Sequence, residues 1–118
     1  MGSRNNDGWT SLMIASFRGH LDIVSLLREH GAAADTHKND GWTSLMLASQ
    51  NGYLDIVRLL LQSGAYVGSQ DVDGWTPLML ASLNGHLDVV RLLLQSGAAA
   101  VAHEDVGTTP FIRKKGGS

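Results

Sequence analysis

Asp-Gly-Trp-Thr, followed by Ser or Pro and then Leu-Met, occurs at Asp7–Met13, Asp40–Met46 and Asp73–Met79, each copy 33 residues after the one before. A fixed period of that size marks a repeat protein, in which thin layers bury their faces on one another instead of building one central core. Each copy reads as a turn feeding a helix. Asp-Gly favours a tight turn, because glycine tolerates positive φ and aspartate tolerates the left-handed region. Thr10, Thr43 and Thr76 stand where an N-cap belongs, each hydroxyl available to a free backbone N–H. Pro77 follows as a first-turn proline, where no intrahelical donor is lost, and Ser11 and Ser44 hold the same slot.

The rest of the unit stays in phase. Leu12, Met13 and Ala15 recur as Leu45, Met46 and Ala48 and as Leu78, Met79 and Ala81, and Gly19, Gly52 and Gly85 predict the end of this first helix. Second apolar runs follow at Leu21–Leu27, Leu54–Leu61 and Leu87–Leu94. Gly31, Gly64 and Gly97 close them, each followed by Ala, as a left-handed helix C-cap would. The predicted unit is turn, short helix, turn, longer helix, loop. Leu45, Ala48, Val57, Leu60 and their equivalents are the expected core between layers. Asp22, Asp55 and Asp88 fall in the first turn of the second helix, where a carboxylate complements the helix dipole. Arg58 and Arg91 are expected to point to solvent on the outer face.

In the third copy the pattern is carried by Asp71, Gly74, Thr76, Pro77, Leu78, Ala81, Gly85, His86, Val90, Leu92, Leu93, Leu94, Gly97 and Ala98. It resembles the ankyrin repeat. The resemblance runs three times in register over nearly the whole chain and implies an all-α, ankyrin-type helix-turn-helix solenoid with short β-turn fingers. The sequence departs from the family at Met13, Met46 and Met79, which replace a histidine, and at Ser16, Ser49 and Ser82, which replace the second alanine. Tyr53 replaces the histidine of the Gly-His pair in the middle copy. These departures bear on hydrogen bonds within and between repeats. Repeats are expected at 7–39, 40–72 and 73–105, with a partial fourth at 106–115. Residues 1–6 are expected to fray, with Met1-Gly2-Ser3 reading as an engineering scar, and 116–118 form a C-terminal tail.

The chain carries a net charge of −2, which argues against nucleic acid as a partner, since phosphate binding needs a basic surface. It has no cysteine, hence no disulfide and no thiolate metal site. No apolar run approaches the roughly 18 residues of a membrane span, and the N-terminus lacks the apolar core of a signal peptide. The expected compartment is cytoplasmic or otherwise intracellular.

His20 and His86 occupy the Gly-His slot, where the resemblance implies a structural bond to neighbouring backbone, while His30, His37 and His103 are solitary. No catalytic or phosphate-cradling motif is present, so neither enzyme activity nor a cofactor is expected. Trp9, Trp42 and Trp75 recur at the entrance to each first helix, the slot that the resemblance places near the finger tips on the concave, partner-facing side. Tryptophan is favoured at binding hot spots, although a duplicated ring packed on its own turn gives the same pattern. Repeats two and three agree at most positions of their helices but differ at Gln50 versus Leu83, at Tyr53 versus His86, and along the fingers Tyr66–Val72 and Ala99–Asp105.

The resemblance therefore implies non-catalytic protein–protein binding. The expected surface combines Trp9, Phe17, Arg18, Trp42, Gln50, Asn51, Tyr66, Trp75, Leu83 and Asn84. The alternative, from a different class, is a designed or excised repeat scaffold without a natural partner. Because neither end carries a polar capping repeat, weak self-association through the ends is also expected.

Overall fold

The computed structural model describes residues 4–99. The partial fourth repeat with Phe111 and Ile112, the basic run Arg113-Lys114-Lys115, His103, most of the third finger and both extreme termini lie outside the described residues. Six helices follow in order: α1 (Ser11–Arg18), α2 (Leu21–Glu29), α3 (Ser44–Asn51), α4 (Leu54–Gln62), α5 (Pro77–Leu83) and α6 (Leu87–Gln95). They pair as three hairpins, α1–α2, α3–α4 and α5–α6, and the hairpins stack α1 on α3 on α5 and α2 on α4 on α6. Among the described residues there is no strand, only an isolated antiparallel bridge between His37 and Thr43. The fold is all-α, and no described helix is long and apolar enough to cross a membrane.

Local chemistry sets the helix limits. Thr10, Thr43 and Thr76 are the N-caps of α1, α3 and α5, and each Oγ1 accepts the N–H of the methionine three residues on at 3.2 Å. Those methionines hold the slot where a capping box uses Glu or Gln. Met13 partly fills that role, since Thr10 N–H donates to Met13 Sδ at 3.4 Å. The second helices run one or two residues past the aliphatic stretches that predict them. They end in paired bonds, Gly64 N–H to Leu61 O and Ala65 N–H to Leu60 O in repeat two, which satisfy two of the last carbonyls.

The fingers are tight backbone turns. Lys38 N–H donates to Trp42 O at 2.8 Å and Asp71 N–H to Trp75 O at 3.0 Å. One finger is tied to the next by Asn39 N–H to Asp7 O at 3.1 Å and by Val72 N–H to Asp40 O at 3.0 Å. These bonds pin the inter-repeat spacing independently of side-chain packing.

The core is layered. Leu45, Ala48, Val57 and Leu60 are all fully buried, as are Leu12, Val24, Ala81 and Leu93 of the flanking repeats. Leu27, Leu78 and Val90, equivalents in the outer two repeats, are only partly buried. Each repeat also offers one apolar edge to the repeat before it. Leu47 and Ile56 of repeat two are buried there, but their equivalents Ile14 and Ile23 in repeat one are 48% and 45% exposed. Thus the middle repeat is sealed on both sides and the first is not.

The serines that replace the family's second alanine have a cost. Ser16 and Ser49 are wholly buried, and neither hydroxyl reaches a partner among the described residues. An unpaired buried hydroxyl loses its water without compensation, and Ala is the better helix former. Ser49→Ala should therefore raise the unfolding free energy by about 1–2 kcal/mol. Urea denaturation that finds the variant no more stable than the parent would refute this.

Candidate functional site

The expected surface residues divide between the two ends of the helical hairpins. Phe17, Gln50 and Leu83 are equivalent positions near the C-terminal ends of α1, α3 and α5. They form a row across the three repeats, with Phe17 39% exposed, Gln50 half-buried and Leu83 68% exposed. Tyr66 follows α4, and the antiparallel pairing puts it at the opposite end of its hairpin, where it is exposed.

Arg18, Asn51 and Asn84 occupy the next slot. Asn51 Nδ2 donates to Phe17 O at 2.9 Å, and Asn84 Nδ2 donates to Gln50 O at 3.0 Å. Each asparagine thus fastens the end of its own first helix to the end of the preceding one. The amides hold adjacent layers together and present the row residues in register. Arg18, in the first repeat, is exposed in the last turn of α1, where a cation suits the helix dipole.

The Gly-His slot does similar work. A ring nitrogen of His86, Nε2, lies 2.9 Å from Gln50 O, so two side chains of repeat three converge on that carbonyl. The His86 ring rests on Gly52, where an added Cβ would come within 2.6 Å of it. Tyr53 keeps the packing without that bond: its ring lies on Gly19, 2.9 Å from where a Cβ would stand. His20 has no described repeat before it and is exposed.

The three tryptophans are half-buried and sit in similar backbone settings. Trp9 N–H and Trp75 N–H donate to the equivalent side chains Asn5 Oδ1 and Asp71 Oδ1, at 3.0 and 2.9 Å. Lys38 holds that slot in the middle finger, and Trp42 N–H donates instead to Asp40 Oδ1 at 3.1 Å. Nothing in the repeat pattern singles out Lys38, since its slot is occupied by different residue types in the other fingers. Its Nζ lies 4.5 Å from the centre of the Trp9 ring and 3.0 Å from Asp40 Oδ2. The Trp9 ring in turn meets Phe17 edge-on, with centroids 5.7 Å apart. Burial works to raise the Asp40 pKa, but the Trp42 N–H and the Lys38 ammonium outweigh it and hold the carboxyl below its ordinary value.

The result is a partly exposed aromatic cluster, Trp9 with Phe17, capped by a cation and continued along the row to Leu83. Such a surface can offer apolar and cation–π contact area to another polypeptide. Among the described residues no three His, Asp or Glu side chains gather where a metal ion could sit.

A family model described as "Ankyrin repeats (3 copies)" matches residues 1–71. A second, described as "Ankyrin repeat", matches residues 73–106. No curated protein matches the chain.

Proposed function

Since the chain belongs to the ankyrin repeat family, whose repeats are generally protein–protein interaction modules, we propose that it binds a protein partner without catalysis, through the first-helix row and the finger tips. The observation that carries this reading is the contrast between adjacent slots. Asn51 and Asn84 are identical and each ties its amide to a carbonyl of the preceding repeat, while Phe17, Gln50 and Leu83 beside them differ in every repeat and make none of these ties, with Phe17 and Leu83 exposed. The net charge of −2 favours a protein over a nucleic acid as the partner.

The test compares proteins crosslinked by the parent chain with those crosslinked by a Phe17→Ala, Leu83→Ala double variant, each hit then being purified and titrated. Leu83 is largely exposed, so its loss should change stability by no more than roughly 0.5 kcal/mol. Phe17→Ala also gives up the edge contact with Trp9, worth about 0.5–1.5 kcal/mol, and urea denaturation of the variant checks that it stays folded. Affinity for a true partner should fall about tenfold or more, the scale of a single hot-spot side chain. Equal affinity of parent and variant for every hit would sink the proposed surface.

A second contact, weak self-association through the apolar ends, is supported by Ile14, Ile23 and Leu26, which are exposed where repeat two buries Leu47 and Ile56. In repeat three Met79 is 44% exposed, whereas Met13 and Met46 are buried. A second copy stacked on the Ile14–Ile23 edge would bury it as an internal layer does. Sedimentation should show an average mass that rises with concentration. A constant monomer mass up to about millimolar would rule the contact out.

A further inference from the structure

Repeat one departs from its neighbours at Arg28, which stands where repeats two and three carry Leu61 and Leu94. The Arg28 side chain is part-buried and lies across the C-terminal ends of α2 and α4. Its Nη1 donates to Ala32 O, just past the end of α2, and its Nη2 makes a long bond of 3.5 Å to Ser63 O, at the end of α4. One guanidinium fork therefore joins carbonyls from two successive repeats.

One repeat further on, the same place is open. The equivalent carbonyls are Ala65 O, past the end of α4, and Ser96 O, at the end of α6, and among the described residues neither accepts a hydrogen bond. Leu61 is too short and apolar to reach them. In place of a bridging side chain there is an open cleft of about 600 Å³, whose lining includes Leu61, Ala65, Tyr66, Leu92 and Ser96.

We propose that this cleft is a binding site for an arginine side chain of a partner polypeptide, whose guanidinium bridges Ala65 O and Ser96 O as Arg28 bridges Ala32 O and Ser63 O. The chain itself supplies the template for the occupant. Carbonyls at two helix C-termini present negative partial charge, which favours a cation. Two acceptors on separate elements suit a planar fork with several donors better than the point charge of a lysine. Tyr66, 69% exposed, offers a ring beside the arginine stem and head. Arg58 also lines the cleft, but its guanidinium is turned to Asp55 Oδ1 at 3.5 Å, which answers part of its charge. The site lies at the opposite hairpin end from the Phe17–Leu83 row, so it extends the proposed partner contact to a second surface and does not depend on that row.

The test uses the full chain, isotope-labelled, and follows backbone amide shifts as acetyl-arginine amide, acetyl-lysine amide and acetate are added separately. The arginine probe should give saturable shifts centred on Leu61, Ala65, Tyr66 and Ser96, with a Kd about fivefold to tenfold lower than the lysine probe. Leu61→Arg should fill the cleft with the chain's own guanidinium and abolish those shifts. Because Leu61 is half-buried, Tyr66→Ala serves as a second variant at an exposed position and should weaken arginine binding about threefold. Shifts that are absent or spread over the whole surface would overturn the proposal. So would equal binding of lysine and arginine, preferential binding of acetate at Arg58, or arginine binding unchanged in a folded Leu61→Arg or Tyr66→Ala variant.

Discussion

Leu60→Ala should lower the unfolding free energy by about 2–5 kcal/mol, a loss large enough to threaten the fold of so short an array. Leu60 is completely buried, in the second helix of the repeat that has a described neighbour on each side. Its backbone carbonyl also accepts the Ala65 N–H that closes α4, so a collapse of the side-chain environment would loosen that helix end as well. A repeat array has no central core to share the loss, because each layer contacts only its neighbours. About three repeats is the smallest number that stands alone, so the variant should be near or below the threshold of folding at 25 °C. Circular dichroism during urea titration measures the change. A midpoint equal to the parent's would mean that Leu60 does not face the layer interface.

Gly41→Val is the second large effect, about 1–3 kcal/mol from backbone strain alone. Gly41 has φ of +91°, a conformation that a β-branched residue adopts only under strain. The turn is held there by Gly41 N–H to Lys38 O and Lys38 N–H to Trp42 O. Space is also lacking: a Cβ would lie 2.9 Å from Asp71 Cα and 3.0 Å from Val72 N, both backbone atoms of the next finger. The new side chain would therefore push apart the Val72 N–H to Asp40 O bond that joins the fingers. Gly31→Val separates the two causes, because Gly31 has φ of +93° but no described atom within 4 Å of the added Cβ. Gly41→Val should lose more stability than Gly31→Val, by equilibrium urea denaturation. Equal losses would show that the close approach of the two fingers adds nothing.

The candidate site was legible only in part. The row positions Phe17, Gln50 and Leu83 stand out because they break an otherwise repeated pattern, and the structure places them at one hairpin end with exposed or half-buried side chains. Asn51 and Asn84 stand beside them in the sequence, yet their amides reach back to carbonyls 34 residues earlier. Whether an asparagine faces solvent or a neighbouring layer depends on the stacking distance, and no local pattern encodes that. Lys38 shows the converse. Its slot holds Asn5 and Asp71 in the other fingers, so periodicity gives no reason to notice it, but stacking brings its ammonium over Trp9 of the preceding repeat.

The amino-acid sequence alone determined the unit and its punctuation. The threonine caps, the turn glycines at positive φ, the helix-closing glycines and the buried leucines act within a few residues of one another, and local sterics and periodicity decide them. Tertiary structure alone decided what happens between units. Tyr53 and His86 close over Gly19 and Gly52, and Arg28 bridges two helix ends while the equivalent place beside Leu61 stays open. The physical reason is one of range. A cap or a turn is a contact between near neighbours in the chain, whereas these contacts join residues about one repeat apart, whose relative placement exists only once the layers have stacked.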